Sequence, residues 1–216
     1  MAKLDFHFSP GACSLATHIA LEEAGATFTP KPTYTRKGQT RTPEYLALNP
    51  KGKVPLLIVD GKPLTENTAI LTFLSRSYPN AKLLPAGDAL KEAEALSFIA
   101  WCASGVHPVM SRFFGPQNFC DLPDSADNVK ALAAKATAAN FALIEKALEG
   151  KDWVFGEWSV ADAYIFVFYN WATKLGLDVS QYPNYGKHFE RMKQRPAVQR
   201  ALAREAEALA AMDKAA

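Results

Sequence analysis

The start of the chain alternates between strand-like and helix-like hydrophobic patterns, and this alternation restricts the possible folds more than any other feature. Leu4, Phe6 and Phe8 alternate with polar residues, which predicts a short strand. Residues 13–24 then have apolar side chains at helical spacing, and Gly25 follows as a C-terminal stop. A strand followed closely by a helix is typical of domains in which helices pack on a sheet.

The same alternation continues beyond the first helix. An extended stretch around Phe28 precedes residues 42–44, where a threonine cap and a proline at the first helical position begin a second helix. Residues 54–59 are a compact apolar run typical of a buried strand, and the Asp-Gly pair at 60–61 predicts a hairpin turn. Residues 66–77 predict a third helix. The order β-α-β-α-β-β-α predicts a small mixed sheet with helices packed against it.

The remainder of the sequence is almost entirely helical in character. Asp88 is a good N-cap at the end of a short linker. Regularly spaced leucines and alanines in the following region predict one apolar face of a long helix, and they are Leu132, Ala136, Ala139, Leu143 and Ala147. We therefore expect two domains, residues 1–80 and 88–216, joined by the linker 81–87.

Composition restricts the compartment and the partners. The 216 residues include 24 basic and 22 acidic side chains, a net charge of +2 that indicates neither nucleic-acid nor anionic-membrane binding. Asp5 stands where the apolar core of a signal peptide would begin, and no run reaches transmembrane length. The three cysteines, Cys13, Cys102 and Cys120, form no Cys-x-x-Cys pair, so neither disulfides nor a zinc site are predicted. We expect a cytoplasmic protein without a metal site.

A cysteine stands at the beginning of the first predicted helix, in the segment Ser-Pro-Gly-Ala-Cys-Ser at residues 9–14. The backbone N–H groups and the dipole of a helix N-terminus favour a thiolate, so we expect the pKa of Cys13 to fall. The alternative is that Cys13 is a small, inert packing residue. Ser14 is the nearest hydroxyl, and its alternative role is that of a simple helix cap.

Two further segments are candidates for a ligand site. Residues 49–55, Asn-Pro-Lys-Gly-Lys-Val-Pro, place a proline at the opening of a strand, which predicts an edge position or a special backbone geometry. Glu66 and Asn67 stand where the third helix begins. Backbone N–H groups there can bind the carboxylate of a ligand, and the Glu66 carboxylate can bind an ammonium group. Ordinary capping is the alternative.

A histidine in the helical half is a further candidate. Leu96, Ala100, Ala103 and His107 follow helical spacing, which predicts that they share one face of a helix. Pro108 directly follows and should bend that helix. A lone histidine on an apolar face can equally be structural.

The three N-terminal segments, in this order and spacing, resemble the glutathione transferase superfamily, and the resemblance covers nearly the whole chain. The Pro-Gly-Ala-Cys-Ser start is similar to that of the bacterial beta-like members. Ser159 and Asp162 match the family's Ser-x-x-Asp helix start, which has a folding role. The resemblance implies the cytosolic glutathione transferase fold, an α/β thioredoxin-like N-terminal domain followed by an all-α C-terminal domain, and a homodimer.

The same resemblance implies where glutathione would bind. The tripeptide would lie extended along Val54 and Pro55, whose peptide bond would be cis, and would pair with the Val54 backbone. Its γ-glutamyl end would be held by Glu66 and Asn67.

The resemblance also implies which residues would contact the glycyl carboxylate and the thiol of glutathione. Lys37 or Lys53 would contact the glycyl carboxylate. Cys13 would lie close to the glutathione sulfur, where it could form a mixed disulfide. His107 would point at the thiol and help to stabilise or deprotonate it.

The sequence departs from the family pattern at two positions. Phe8 stands where many members have a tyrosine whose hydroxyl binds the thiolate, so activation of that type is excluded. Ala100 replaces a polar residue of the beta-like members. Stabilisation of the thiolate therefore falls to Cys13, Ser14, His107, backbone amides or water.

An apolar second substrate would lie against the helix that carries His107, with core packing as the alternative role of its side chains. The residues expected to form this pocket are Phe8, Ala100, Met110, Phe113 and Phe114. The resemblance implies an enzyme that takes glutathione as a co-substrate, with no permanently bound cofactor, and transfers it to an apolar electrophile. Reduction of a disulfide or hydroperoxide through Cys13 is a second branch. The alternative is a non-catalytic glutathione-fold protein that binds ligands or partners.

Overall fold

The computed structural model describes residues 2–214. Its first elements alternate as predicted, β-α-β-α-β-β-α. The strands are β1 (Leu4–Phe8), β2 (Thr29–Pro32), β3 (Leu56–Val59) and β4 (Lys62–Thr65). The helices between and after them are α1 (Ser14–Glu23), α2 (Pro43–Leu48) and α3 (Asn67–Ser77).

The four strands form one mixed sheet in the order β2-β1-β3-β4. β1 is parallel to β2 and antiparallel to β3, which is itself antiparallel to β4. Successive side chains of β1 point to opposite faces of the sheet. Phe6 and Phe8 are buried and contact the ring of His18 on α1, whereas His7 contacts Tyr45 on α2. The helices therefore cover both faces of the sheet.

The local signals that begin and end these elements are confirmed. The Thr42 hydroxyl accepts a hydrogen bond of 3.3 Å from the Tyr45 N–H at the start of α2. Gly25 has a φ of 61° just after α1, the left-handed conformation in which glycine commonly ends a helix. Asp60 and Gly61 both have positive φ in the two-residue hairpin between β3 and β4, as a type I′ turn requires.

The regular elements described after residue 87 are helical, as the sequence predicts. They are α4 (Ala89–Trp101), a π-helical segment (Cys102–Val106), α5 (His107–Phe114), a short 3-10 turn (Pro116–Asn118), α6 (Ala126–Ala147), α7 (Val160–Lys174), α8 (Pro183–Lys193) and α9 (Pro196–Lys214). Asp88 caps α4 by accepting hydrogen bonds from the N–H groups of Leu90 and Lys91. Within residues 2–214, no helix is long and apolar enough to cross a membrane.

The described residues of the chain form two compact units. Residues 2–86 and 193–214 form the first unit, and residues 87–192 form the second. The final helix, α9, belongs to the first unit because it packs along α1. The domain boundaries expected from the sequence stay a prediction, namely 1–80, 81–87 and 88–216. Residues 1, 215 and 216 of those ranges lie outside the described residues.

The apolar face predicted for the long helix is not the face that α6 buries, so this prediction is wrong. Leu132 and Leu143 are 61% and 57% exposed. The residues that α6 buries are Val129, Ala133, Thr137, Phe141 and Ile144. In an alanine-rich helix, two faces carry apolar residues at similar spacing, and either of them could pack against the core. The larger buried area of Phe141 and Ile144 decides between them.

The predicted capping box at the start of α7 is confirmed. The Asp162 carboxylate accepts a hydrogen bond of 2.8 Å from the Ser159 N–H. Its other oxygen accepts from the Val154 N–H and from His188 Nε2, both at 3.0 Å. Asp162 and His188 are fully buried, so this carboxylate ties α7 and α8 together at the centre of the second unit.

Candidate active site

Cys13 immediately precedes α1, but its thiol is buried. Its side chain lies within 3.6 Å of the Val54 carbonyl oxygen, to which the S–H donates. Burial raises the pKa of Cys13 from 9.0 to about 12, although the positive charge of Lys53 acts in the opposite direction. The expectation of a lowered pKa is wrong, because the loss of water around the sulfur outweighs the helix N-terminus.

Ser14 braces the turn that carries Cys13. Its hydroxyl accepts a hydrogen bond from the Ser9 N–H at 3.2 Å and donates to the Ser9 carbonyl at 3.3 Å. The side chain is fully buried. Because both hydrogen-bonding functions of the hydroxyl are used within the turn, the geometry favours the local structural role over direct contact with a substrate.

A carboxylate that sequence analysis did not select holds the same turn. Glu205 on α9 accepts a hydrogen bond of 2.8 Å from the Gly11 N–H. Its other oxygen lies 3.6 Å from His18 Nδ1, and both side chains are buried. No local pattern marks Glu205 in the sequence, because its partner is 194 residues away.

The Val54–Pro55 peptide bond is cis, as the resemblance implies. The Val54 N–H has no hydrogen-bond partner among residues 2–214, so it is available to an extended peptide. The preceding turn is firmly held, since the Tyr45 hydroxyl and the Asn49 side-chain amide both donate to the Lys53 carbonyl at 2.7 Å. Val54 therefore presents a fixed backbone position beside Cys13.

Glu66 stands between β4 and α3 in an unusual backbone conformation, with a φ of 74°. Non-glycine residues with positive φ are uncommon and cluster at functional sites. The Glu66 side chain is exposed, and its Oε1 lies 2.5 Å from Lys51 Nζ. Lys51 is a second residue that sequence analysis missed, although it stands within the segment 49–55 that was singled out.

Asn67 directs its side chain into the first unit. Its Oδ1 accepts a hydrogen bond of 2.8 Å from the Thr17 hydroxyl, and its Nδ2 donates to the Cys13 carbonyl at 3.1 Å. The side chain therefore links α3 to α1 beneath Cys13. What Asn67 offers to a ligand is its backbone N–H, which is the first of α3 and lies outside the intrahelical ladder.

The two candidate lysines differ in their surroundings. Lys37 Nζ donates to the Met212 carbonyl at 2.9 Å, near the C-terminal end of α9. Lys53 is exposed, and its positive charge acts to lower the pKa of the Cys13 thiol. A contact of either lysine with the carboxylate of a ligand stays a prediction.

Phe8 lies in the core of the first unit. Its ring is 1% exposed, stacks on Phe6 at 5.5 Å and meets His18 at 4.9 Å. This burial favours the packing alternative over a place in the wall of a substrate pocket.

The other candidate residues belong to the second unit. His107 begins α5, and its ring lies 5.2 Å from Trp171 and 6.4 Å from Phe168, both on α7. Phe114 is half exposed and contacts Trp171 at 5.3 Å. Trp171 therefore joins His107 and Phe114 in one aromatic cluster. Trp171 was not among the residues predicted from the sequence, although its position as an aromatic residue on the apolar helix α7 could have indicated it.

The remaining pocket candidates differ in exposure. Met110 is fully buried, which favours core packing. Phe113 is half-buried and Ala100 is exposed. The part of these three positions in substrate binding stays a prediction.

The even helical spacing predicted before His107 is wrong, because a π-helical segment interrupts it. The His107 N–H donates to the Cys102 carbonyl, five residues back. Pro108 has no N–H to donate and would clash with a carbonyl of the preceding turn, so a wider turn relieves both problems. Gly105 permits this turn, since a Cβ added there would lie 2.7 Å from the Trp101 ring. The extra residue rotates His107 relative to the residues before it.

These features define the class of protein. A four-stranded mixed sheet with helices on both faces, and a cis-proline opening one of its strands, constitutes a thioredoxin-like unit. It is followed by a helical unit, and the predicted fold class is confirmed. Among the described residues, no group of three or more His, Cys, Asp or Glu side chains is arranged to hold a metal ion.

Comparison with known proteins identifies the family. The models "Glutathione S-transferase, N-terminal domain" and "Glutathione S-transferase, C-terminal domain" match residues 5–76 and 103–196. Glutathione S-transferase GstA of Escherichia coli O157:H7 is 32% identical over 201 residues, covering 92% of this chain and 96% of that protein. The chain therefore belongs to the glutathione S-transferase family, transferases that take glutathione as a co-substrate.

Solved structures agree with this assignment. A sphingomonad glutathione S-transferase complexed with glutathione is 36% identical, with a TM-score of 0.83, and the match covers 94% of this chain and 98% of that one. A bacterial beta class glutathione S-transferase from Sphingomonas chungbukensis is 37% identical, with a TM-score of 0.82 and coverage of 93% and 98%. The similarity to beta-like bacterial members that the sequence indicates is thus confirmed.

Proposed function

We propose that this protein binds glutathione on the first unit, activates the glutathione thiol and transfers it to an apolar electrophile. The observation that carries the proposal is the unpaired Val54 N–H, held beside Cys13, whose carbonyl accepts a hydrogen bond from Asn67 at the start of α3. A tripeptide thiol offers complementary groups to each of these, namely a peptide backbone, a sulfur and a charged γ-glutamyl end.

Each end of glutathione has a proposed partner. The ammonium group of the γ-glutamyl end binds the Glu66 carboxylate, and its carboxylate binds the backbone N–H groups of Asn67 and the next residues of α3. The cysteinyl backbone pairs with Val54 beside Pro55. The glycyl carboxylate meets the positive charge of Lys53, with Lys37 as the other candidate.

The raised pKa of Cys13 bears on the chemistry. A thiol with a pKa of about 12 stays protonated at neutral pH, so Cys13 can donate a hydrogen bond but is a poor nucleophile. We therefore propose that the nucleophile is the thiolate of glutathione itself. Its sulfur forms the new bond to carbon while the leaving group departs with the bonding pair. Water takes the thiol proton, and a part for His107 in this step stays a prediction. This reaction is supported over disulfide or hydroperoxide reduction through Cys13.

The second unit supplies the proposed apolar surface for the electrophile. Half-exposed Phe114 offers the aromatic surface, and it packs on buried Trp171 in the same cluster as His107. Half-buried Phe113 and exposed Ala100 are further candidates, whereas the complete burial of Met110 argues for packing. Attachment of a charged tripeptide makes an apolar compound more water-soluble, so detoxification is the proposed role.

We further propose a homodimer in the cytoplasm of a bacterium. The bacterial relatives support the source, and the three free thiols accord with a reducing compartment. A shallow apolar groove on the second unit, lined by Leu90, Phe98, Trp101 and Phe155, offers a surface for a second copy. A monomeric mass by light scattering at micromolar concentration would contradict the dimer.

The first test combines binding and turnover. Calorimetric titration with glutathione should show saturable binding. A panel of a chloronitrobenzene, a hydroperoxide and hydroxyethyl disulfide should then show turnover of the chloronitrobenzene. Binding without turnover of any compound would favour the non-catalytic alternative. The sequence identity to named transferases over nearly the whole chain argues against that alternative. No binding would contradict the proposal.

A cysteine substitution separates the two branches of chemistry. Cys13→Ser should retain conjugation, and any disulfide reduction that the unchanged protein shows should be lost. Cys120→Ser, in the second unit, is the matched control and should leave both activities unchanged. Equal loss of conjugation and reduction in Cys13→Ser would mean that Cys13 is required for conjugation.

A further inference from the structure

A lysine holds the carboxylate of the proposed ammonium-binding residue. Lys51 Nζ lies 2.5 Å from Glu66 Oε1 and 2.8 Å from the Thr65 hydroxyl. Both are hydrogen bonds from a charged donor, and the first is also an ion pair. Lys51 therefore bridges the turn before β3 and the junction of β4 with α3.

The position of Lys51 is built into the fold. Its N–H donates to Asn49 Oδ1 at 3.2 Å, and the Gly52 N–H donates to the Asn49 carbonyl at 2.9 Å. Gly52 has a φ of 61°, and a Cβ added there would lie 2.7 Å from Arg41 Nη1. The backbone on which Lys51 is carried is thus a tight turn with little room to move.

Glu66 by itself would lack such constraint. Its side chain is 62% exposed, so a carboxylate without a partner would exchange between rotamers in water. Lys51 occupies Oε1, and Oε2 has no hydrogen-bond partner among the described residues. An ammonium group that approaches the start of α3 therefore meets a carboxylate that is already oriented.

We propose that Lys51 is a positioning residue of the glutathione site. It holds Oε1 of Glu66 so that Oε2 receives the α-ammonium group of the γ-glutamyl end. This inference rests on the proposed function, because it takes glutathione as the ligand. The pair contributes little to folding stability, since ion pairs between exposed side chains are weak. Its effect lies in the affinity for a ligand that carries an ammonium group at this end.

The test compares two ligands by calorimetry. Lys51→Met should raise the Kd for glutathione about three- to fivefold, the range expected from the loss of one exposed, oriented ion pair. It should leave unchanged the Kd for a glutathione analogue in which a glutaryl group replaces γ-glutamyl, because that analogue has no α-ammonium group. The turnover number at saturating glutathione should not change. Lys62→Met, an exposed lysine on β4, is the matched control.

A double-mutant cycle completes the test. In a Glu66→Gln background, Lys51→Met should have no further effect on the Kd for glutathione, because its action passes through the Glu66 carboxylate. An unchanged Kd in Lys51→Met alone, or an equal loss with both ligands, would overturn the inference. Failure of the unchanged protein to bind glutathione would overturn the proposed function itself and this inference with it.

Discussion

Glu205 accepts a hydrogen bond of 2.8 Å from the Gly11 N–H, which links the last helix of the chain to the turn before Cys13. The acceptor is a buried carboxylate, and buried His18 lies beside it. Gly11 has a φ of 75°, a conformation that suits glycine and turns its N–H toward α9. The geometry of the proposed glutathione site therefore depends on a residue close to the C-terminus.

Substitution of Glu205 tests this dependence. Glu205→Ala should lower the free energy of unfolding by about 1 to 3 kcal/mol, because the half-buried Gly11 N–H loses the Glu205 carboxylate as its acceptor. It should also lower kcat/KM for glutathione about tenfold, since the turn that carries Cys13 moves. Glu205→Gln keeps an acceptor oxygen and should lose less of both. Urea unfolding and steady-state kinetics measure the two effects, with exposed Glu207→Ala as the control. Equal behaviour of Glu205→Ala and Glu207→Ala would contradict the prediction.

The three thiols should differ in their reaction with iodoacetamide. Hydrogen bonds from Ser125 and then from the Leu122 N–H lower the pKa of Cys120, which is half-buried. Burial raises the pKa of Cys102 and that of Cys13, the latter to about 12. Because the thiolate is the reactive form, Cys120 should be alkylated first at pH 7.5, and labelling of Cys13 should increase as the pH rises toward its pKa. Peptide mass spectrometry measures the order.

The raised pKa of Cys13 also makes folding stability depend on pH. Well below pH 9 the thiol is protonated in both the folded and the unfolded chain, so it contributes no pH dependence. Between about pH 9 and 12 only the unfolded chain loses the proton, and folding stability falls as the pH rises. Cys13→Ala should reduce this alkaline loss. Equal alkaline slopes in the two proteins, or rapid labelling of Cys13 at pH 7.5, would contradict the raised pKa.

Asp162 should be the most sensitive polar residue of the second unit. Asp162→Ala removes the acceptor of two buried N–H groups and the partner of buried His188. We expect the free energy of unfolding to fall by about 3 to 5 kcal/mol, the usual result of removing one partner from a buried hydrogen-bonded pair. Exposed Asp178→Ala should cost less than about 1 kcal/mol. Urea unfolding followed by tryptophan fluorescence compares them, and similar midpoints for the two variants would refute the assignment.

Gly105 should tolerate no side chain while Trp101 is present. In Gly105→Ala the new Cβ would lie 2.7 Å from the Trp101 ring. Because this overpacks the contact, we expect the free energy of unfolding to fall by about 1 to 3 kcal/mol. Trp101→Leu in the same chain should restore part of that loss because it removes the ring. Thermal unfolding of the single and double variants measures the coupling. Additive effects of the two substitutions would show that the contact is not the cause.

Local signals in the sequence determined the elements of the first unit. Strand alternation, the threonine cap before α2, Gly25 after α1 and the Asp-Gly hairpin each depend on neighbouring residues. Their physical effects therefore act at short range. The order of those elements, with the motifs at Cys13, at Val54 and at Glu66, was sufficient to indicate the family.

Tertiary structure alone decided the properties that depend on burial and on distant partners. The pKa of Cys13 rises because the folded chain removes water from the sulfur, an effect absent from the local sequence. The buried face of α6 follows from which stripe the rest of the unit can cover, and spacing does not distinguish the two. Glu205 joins Gly11 from 194 residues away, and Lys51 joins Glu66 across a turn. Such contacts exist only once the chain has folded, because packing brings their partners together.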